Sequence, residues 1–174
     1  MVGPDDSIIE KAVKIKLLLT DSDGVLTDSG VYYSASGEEL KRFSIRDGMG
    51  VERLRTIAKV ESGIITGENS ESVKKRAEKL RINELHMGIK NKKELLDEII
   101  TKKNIKYENV AYIGDDINDM EAIKLSGLSA CPADAIDEVK RAADIVCGNK
   151  GGHGAFREFA EIIISSVNSY KNKI

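Results

Sequence analysis

The feature that most constrains the fold is a set of short apolar runs, each ending abruptly in a polar cluster. Residues 14–20 (KIKLLLT) run into Asp21-Ser22-Asp23-Gly24, residues 60–66 (VESGIIT) into Gly67-Glu68, and residues 109–113 (NVAYI) into Gly114-Asp115-Asp116. An apolar run of this length bounded by turn residues reads as a buried strand. Between the runs lie stretches of helical period at 47–59, 69–81, 92–103, 117–125, 135–142 and 155–169. The stretch 92–103 turns Leu95, Leu96, Ile99 and Ile100 inward, and Asn69 or Ser70 can cap the helix at 69–81. Shorter strand patterns occupy 84–87, 127–131 and 144–147. This alternation predicts an α/β domain: a mostly parallel sheet with helices on both faces, binding its ligand at the carboxyl ends of the strands. Residues 28–45 break the alternation, with two β-prone stretches around Ser36-Gly37 that signal a hairpin.

The 174 residues suit one domain, 1–174, that buries a core without disulfides or a structural metal. A formal net charge of −2 argues against a nucleic-acid binder held by bulk charge. No apolar run nears the ~18 residues of a membrane span. The opening MVGPDDSIIEKAVK carries acids and no apolar stretch, unlike a secretory signal. Cys131 and Cys147 fit neither a disulfide framework nor a zinc site. The expectation is a reduced, cytoplasmic protein with no nucleic-acid or membrane partner.

Chemistry is therefore to be sought just past each apolar run. Asp21 and Asp23, followed by Gly24, can converge on one point as the strand ends; an acidic turn is the plainer reading. Thr66 and Gly67 can offer a hydroxyl and an amide to a phosphate oxygen, although Thr-Gly is common at strand–helix turns. Asp115, Asp116 and Asp119 crowd carboxylates beside a buried strand, which is costly unless a cation pairs them. Mg²⁺, which takes a few carboxylate oxygens plus water and phosphate, answers that need. Acids favouring a helix N-terminus are the alternative. Lys92 opens a helix, where a cation opposes the dipole unless an anion lies near; otherwise it belongs to a solvated charge run. Arg46 either reaches a substrate carboxylate or pairs with an acid. His86 and His153 are too far apart in sequence for a histidine metal site. Together the strand ends supply a carboxylate nucleophile, a second carboxylate as acid/base, a hydroxyl, an ammonium and a metal site. That is a full set for phosphoryl transfer through an aspartyl-phosphate.

In this order, D-x-D-G, then Thr, then Lys, then G-D-D-x-x-D, the motifs resemble those of the haloacid dehalogenase superfamily of phosphatases. A response-regulator receiver uses similar residues but carries its acidic pair first and its phosphorylated Asp later. The likeness runs through LLTDSDGVLTD, RDGMG (46–50), ITGE (65–68), AYIGDDINDM and GGHGAFREF (151–159). These stretches resemble the capless subfamily that acts on 3-deoxy-octulosonate 8-phosphate or its nine-carbon analogues. The gaps from Asp23 to Thr66 and from Thr66 to Lys92 are too short for a cap domain, and the first holds only the hairpin.

The resemblance implies a three-layer Rossmann-like sandwich with a small β-hairpin in place of a cap. It implies that Asp21 attacks phosphorus and that Asp23 protonates the leaving oxygen, then activates water. Thr66 and Lys92 would hold the phosphoryl oxygens, helped by amides near Gly24 and Gly67. Mg²⁺ would sit on the Asp21 carboxylate, the Asp23 carbonyl and Asp115, supported by Asp116 and Asp119. The resemblance further implies a homotetramer built on the hairpin, a neighbouring subunit that completes the site, and a mobile tail starting in the glycine-rich stretch 148–155. Glu68 departs from the octulosonate pattern and shifts the expected substrate towards nonulosonate 9-phosphates. On a helix, Glu68 and Lys79 would share one side, and with Arg76 they form the expected sugar-acid contacts. Two other readings stay open: a non-catalytic tetrameric assembly domain like those fused to acylneuraminate cytidylyltransferases, and a broad-specificity small-molecule phosphatase.

Overall fold

Every residue of Leu17–Thr20 (β1) is buried, as befits a central strand covered on both faces. The computed structural model describes residues 5–171. In it β1 pairs in parallel with Glu61–Ile65 (β4) on one side and Val110–Ile113 (β6) on the other. Glu84–His86 (β5) extends the sheet beyond β4, while Leu128–Cys131 (β7) and Ile145–Val146 (β8) extend it beyond β6. The order is β5-β4-β1-β6-β7-β8. The chain builds outwards from β1 to β5, then restarts at β6 on the other side. The carboxyl end of β1 is therefore the topological switch point, where sheets of this kind bind ligands.

Alternation along the strands sends neighbouring side chains to opposite faces. Leu18, Ala111 and Ile113 join the core under Asp6–Ala12 (α1), Ile45–Arg53 (α2), Glu71–Leu80 (α3) and Ala155–Lys171 (α7). Leu17, Leu19, Val110 and Tyr112 join the opposite core under Lys92–Lys103 (α4), Met120–Leu125 (α5) and Asp137–Ala142 (α6). The result is the expected three-layer α/β sandwich. Among the described residues, no helix is long and apolar enough to cross a membrane.

Thr27–Ser34 (β2) and Gly37–Phe43 (β3) form a separate antiparallel hairpin between β1 and α2. Ser44, Ser70 and Asn91 cap α2, α3 and α4 by accepting from amides of the first turn.

Some local features differ from the sequence reading. Helix α1 is an addition, capped by Asp5. The helix expected over 47–59 begins at Ile45 because of the Ser44 cap, and gives way at Leu54–Ala58 to a π turn closed by Lys59 in the left-handed region. The expected helix 117–125 opens as a 3₁₀ turn, Ile117–Asp119, because the Asp116 and Asp119 side chains take up backbone amides there.

The glycine-rich stretch forms a tightly held turn into α7. The Gly151 amide donates to Asp134, the Gly152 amide to the Val25 carbonyl, and Arg42 to the Gly152 carbonyl. Asp47 accepts from the Arg157 amide in the first turn of α7. Packing is so close that a Cβ on Gly151 would lie 1.9 Å from the Gly24 carbonyl oxygen.

Candidate active site

β1, β4 and β6 deliver their next residues to one crevice. Asp21 follows β1, Thr66 follows β4, and Gly114-Asp115 follow β6. The Asp21 amide donates to the Ile113 carbonyl, which locks its backbone to β6. A cavity of about 340 Å³ opens there, lined by Asp21, Asp23, Thr66, Gly67, Glu68 and Asp115 with Asp116 at its side. Ser29, Ile117 and Asn118 complete the rim.

Lys92 joins this group from below. It is the first residue of α4, and its side chain is only 1% exposed. Its Nζ lies 3.1 Å from Asp21 Oδ2 and donates to Asp119 Oδ1 at 2.6 Å. Burial works against this lysine's charge, but the charges of Asp21 and Asp119 outweigh it and hold the ammonium above its ordinary range.

Asp119 is fully buried and accepts four hydrogen bonds. Lys92 Nζ and the Tyr112 hydroxyl, each at 2.6 Å, share Oδ1; the amides of Asp115 and Asp116 share Oδ2 at 3.0 and 3.3 Å. Burial, with Asp119 beside it, pushes the Tyr112 phenol far above its usual value, so it stays a donor. Asp119 is thus a brace that ties α4, β6 and the Asp115 loop together.

Asp21 is 5% exposed, and burial with the nearby Asp119 charge pushes its carboxyl up to about 7, against the pull of Lys92. Asp115 is pushed up to about 8 by burial and by Asp21, Asp119 and Asp116. Ligand oxygens of Asp21, Asp115 and Asp119 lie within 4.8 Å of one another. Asp115 Oδ1 is buried with no hydrogen-bond partner among the described residues. Crowded, reluctantly ionised carboxylates with an orphaned oxygen fit a divalent cation. Each Asp119 oxygen already takes two donors, whereas each Asp21 oxygen meets one, the Ser22 amide at 2.7 Å and Lys92 at 3.1 Å, so Asp21 and Asp115 are the carboxylates better placed to hold it.

Gly24 makes the close approach possible. It sits at φ +85°, and a Cβ there would lie 1.9 Å from Asp115 Oδ2. Thr66 is buried, and its hydroxyl oxygen accepts from the Glu68 amide at 3.3 Å, leaving its proton to donate.

Of the residues singled out from sequence, this crevice gathers Asp21, Asp23, Gly24, Thr66, Gly67, Glu68, Lys92, Asp115, Asp116 and Asp119. Asp116 is exposed, and its carboxylate accepts from the Ile117 amide at 2.6 Å. Glu68 is not on a helix with Lys79: the Ser70 cap starts α3 at Glu71, so Glu68 stays in the loop against the cavity. Lys79 is exposed on α3, and Arg46 is exposed in the first turn of α2. Arg76 donates to the Ser44 carbonyl at 2.7 Å and stacks 5.6 Å from the centre of the Phe43 ring. Within one chain, none of these three lines the cavity.

The sequence reading missed Lys41, the one buried residue of β3. Its ammonium lies 2.7 Å from Asp23 Oδ2. Nothing in GEELKRF distinguishes this lysine from a surface one. Tyr112 was read only as part of an apolar strand.

A second cavity lies at the opposite, amino ends of the strands, lined by Arg55, Glu61, Arg81, Glu84 and Lys103 among others. Lys103 there is already paired with Glu61 and Glu84, and the cavity contains no strand-end carboxylate of the kind described above.

Comparison with known proteins agrees with this geometry. The haloacid dehalogenase-like hydrolase family matches residues 65–159. The chain is 40% identical over 157 residues to the 3-deoxy-D-manno-octulosonate 8-phosphate phosphatase of Escherichia coli (strain K12), covering 90% of this chain and 83% of that protein. The crystal structure of the phosphatase of the same name from Yersinia pestis superposes with a TM-score of 0.90 at 37% identity, covering 95% and 89% of the two chains. The Moraxella catarrhalis phosphatase of that name, solved with magnesium ion, phosphate ion and KDO, gives a TM-score of 0.91 at 32% identity over 98% and 97%.

Proposed function

The chain belongs to the haloacid dehalogenase-like hydrolase family and is a phosphatase, and we propose that it hydrolyses a 2-keto-3-deoxy sugar-acid phosphate through an aspartyl-phosphate. The observation that carries this reading is the buried Asp21 carboxylate beside the Lys92 ammonium at the carboxyl end of β1. With Thr66, Asp23 and Asp115 around it, this is a nucleophile on the floor of an acid-lined crevice, with a buried ammonium beside it.

In the proposed reaction an Asp21 oxygen attacks phosphorus, and the bond from phosphorus to the sugar oxygen breaks. Asp23 gives its proton to that oxygen as it leaves. Asp23 then takes a proton from water as the water oxygen attacks the aspartyl-phosphate, releasing phosphate and restoring Asp21. Thr66 and Lys92 bind the phosphoryl oxygens, with the Gly24 and Gly67 amides close by. Asp21, Asp115 and the Asp23 carbonyl would hold Mg²⁺, with Asp116 as an outer partner. When bound, that ion offsets the repulsion between carboxylate and phosphate.

The names of the relatives favour 3-deoxy-octulosonate 8-phosphate as the substrate. Glu68, which departs from the octulosonate pattern and stands on the cavity wall, favours a nine-carbon acid instead. The decisive comparison is kcat/KM for 3-deoxy-octulosonate 8-phosphate, 2-keto-3-deoxynononate 9-phosphate and N-acetylneuraminate 9-phosphate. Similar rates on these and on unrelated phosphates would support a broad phosphatase. Asp21→Asn should abolish turnover of all of them while the fold survives. Retained activity above a few percent would sink the mechanism, and a folded oligomer inert on every substrate would revive the assembly-domain reading.

A second copy of the chain is the partner we infer for the hairpin. Tyr32 and its cross-strand partner Leu40 are each 64% exposed, an apolar pair on one face of a sheet with unpaired edges. The proposed assembly is a tetramer in which a neighbour helps close the open crevice, in a cytoplasmic enzyme. Sedimentation of the wild type and of Leu40→Glu tests it: loss of the oligomer is expected, and a monomeric wild type would refute it.

A further inference from the structure

We propose that Lys41 is a positioning residue for Asp23, held in turn by Glu38, so that the hairpin orients the acid/base group as well as covering the crevice. This rests on the reading of Asp23 as the acid/base residue.

The Lys41 side chain is 1% exposed, and its Nζ donates to Asp23 Oδ2 at 2.7 Å. Glu38 Oε2 lies 3.4 Å from the same ammonium. Glu38 also accepts from the Ser70 hydroxyl, and Ser70 caps α3 immediately after the Thr66-Gly67-Glu68 loop. A chain of polar contacts thus runs from Asp23 through β3 to the element that follows the phosphate loop.

A buried ammonium is an expensive way merely to dock a hairpin, since apolar packing serves as well. Here the ammonium is aimed at a carboxylate that borders the cavity. It fixes Oδ2, while among the described residues the other oxygen, Oδ1, meets only the Thr27 hydroxyl at 3.3 Å. Pinning one oxygen presents the other to the leaving oxygen and then to water. A carboxylate free to rotate would spend less time in reach of either.

The test is leaving-group dependence. General acid–base catalysis contributes about 10²–10⁴-fold, so Lys41→Met should lower kcat on 3-deoxy-octulosonate 8-phosphate by about 10²-fold with KM nearly unchanged. On p-nitrophenyl phosphate, whose leaving group needs no proton, the first step should survive. Only the attack of water should slow, giving a burst of one p-nitrophenolate per active site. Asp23→Asn is the reference for this pattern, Lys41→Arg should recover most of the loss, and Glu38→Gln should show a weaker version of it.

Equal losses on both substrates without a burst, alongside a split in Asp23→Asn, would overturn the proposal alone. No split in Asp23→Asn would overturn the acid/base reading and the proposal with it. Should Lys41→Met fail to fold by circular dichroism, Lys41→Met/Glu38→Gln, which removes both charges, carries the same test.

Discussion

Replacing Gly24 with alanine should damage the metal site more than the fold. Two penalties follow from the geometry. An L-residue at φ +85° pays about 1–2 kcal/mol in backbone strain. The new Cβ would also stand 1.9 Å from Asp115 Oδ2, 2.4 Å from Cγ and 2.8 Å from Oδ1. Ordinary contact lies near 3.5 Å, so the carboxylate must withdraw by roughly 1.5 Å. The loop has little room to shift instead, because Gly151 packs closely against the Gly24 carbonyl. Metal ligands tolerate about ±0.2 Å, and disturbing even their supports costs about 10–100-fold in affinity.

The expected result is a Mg²⁺ activation constant raised about tenfold or more. For a domain of this size, the strain should lower Tm by about 2–8 °C. Steady-state rates across a Mg²⁺ titration, with parallel thermal melts, measure both. Gly37→Ala is the control: it sits at φ +112° with nothing within 4 Å of the added Cβ. It should lose stability and keep its Mg²⁺ constant. A Gly24→Ala enzyme with the wild-type constant would refute the reasoning.

Lys92→Met leaves Asp21 and Asp119 facing each other without their cation; kcat should fall about 10²–10³-fold and stability by about 3–5 kcal/mol, read by kinetics and urea unfolding. Tyr112→Phe removes one donor from the Asp119 carboxylate, so the urea midpoint should shift by about 1.5–3 kcal/mol of stability while activity largely persists. The metal-free protein should also lose stability as pH rises. With Asp21 and Asp115 at about 7 and 8 when folded, against 3.8 ordinarily, the folded state binds more protons than the unfolded state across that window. The stabilisation is complete below pH ~4 and is lost as pH passes through the folded values. Bound Mg²⁺ displaces those protons, so its own effect on Tm should grow over the same range. Melts with and without Mg²⁺ at several pH values, referenced to Asp115→Asn, check this; a metal-free Tm that rises towards pH 8 relative to that variant would contradict it.

The strand ends were legible because burial on both faces leaves no choice of pattern. Leu17, Leu18 and Leu19 face alternate cores, yet all are apolar, so the run and its polar stop stand out in sequence. Helix α4 reads equally well, since Leu95, Leu96 and Ile99 repeat at helical spacing after the Asn91 cap. The hairpin's contribution was hidden for the opposite reason. Gly37–Phe43 carries no apolar stripe, and whether Lys41 faces solvent or Asp23 is decided by how the hairpin docks, not by any local pattern. Glu68 and Lys79 were assigned to one face by their spacing, close to three helical turns, which holds only if the helix reaches back to Glu68. The Ser70 hydroxyl caps the helix so that it starts at Glu71, which leaves Glu68 outside it.

The spacing of Gly114-Asp115-Asp116 and Asp119 gains a physical reason from the same contacts. One turn after Asp115, the chain can fold Asp119 back under its own loop, where two loop amides saturate one oxygen, and Lys92 and Tyr112 the other. The brace therefore brings a third carboxylate to a floor that already holds Asp21 and Asp115, and Lys92 offsets only one of the three. Asp23 stands outside that floor, against Lys41, whose charge Glu38 also shares. A monovalent cation would leave the floor anionic, whereas a divalent one neutralises it with Asp21 and Asp115 both ionised. In the proposed mechanism an arriving phosphate dianion then meets a neutral floor with a charged ammonium, and Asp21 keeps the lone pair with which it would attack. The near-zero net charge of the chain, −2, conceals this local need for two positive charges.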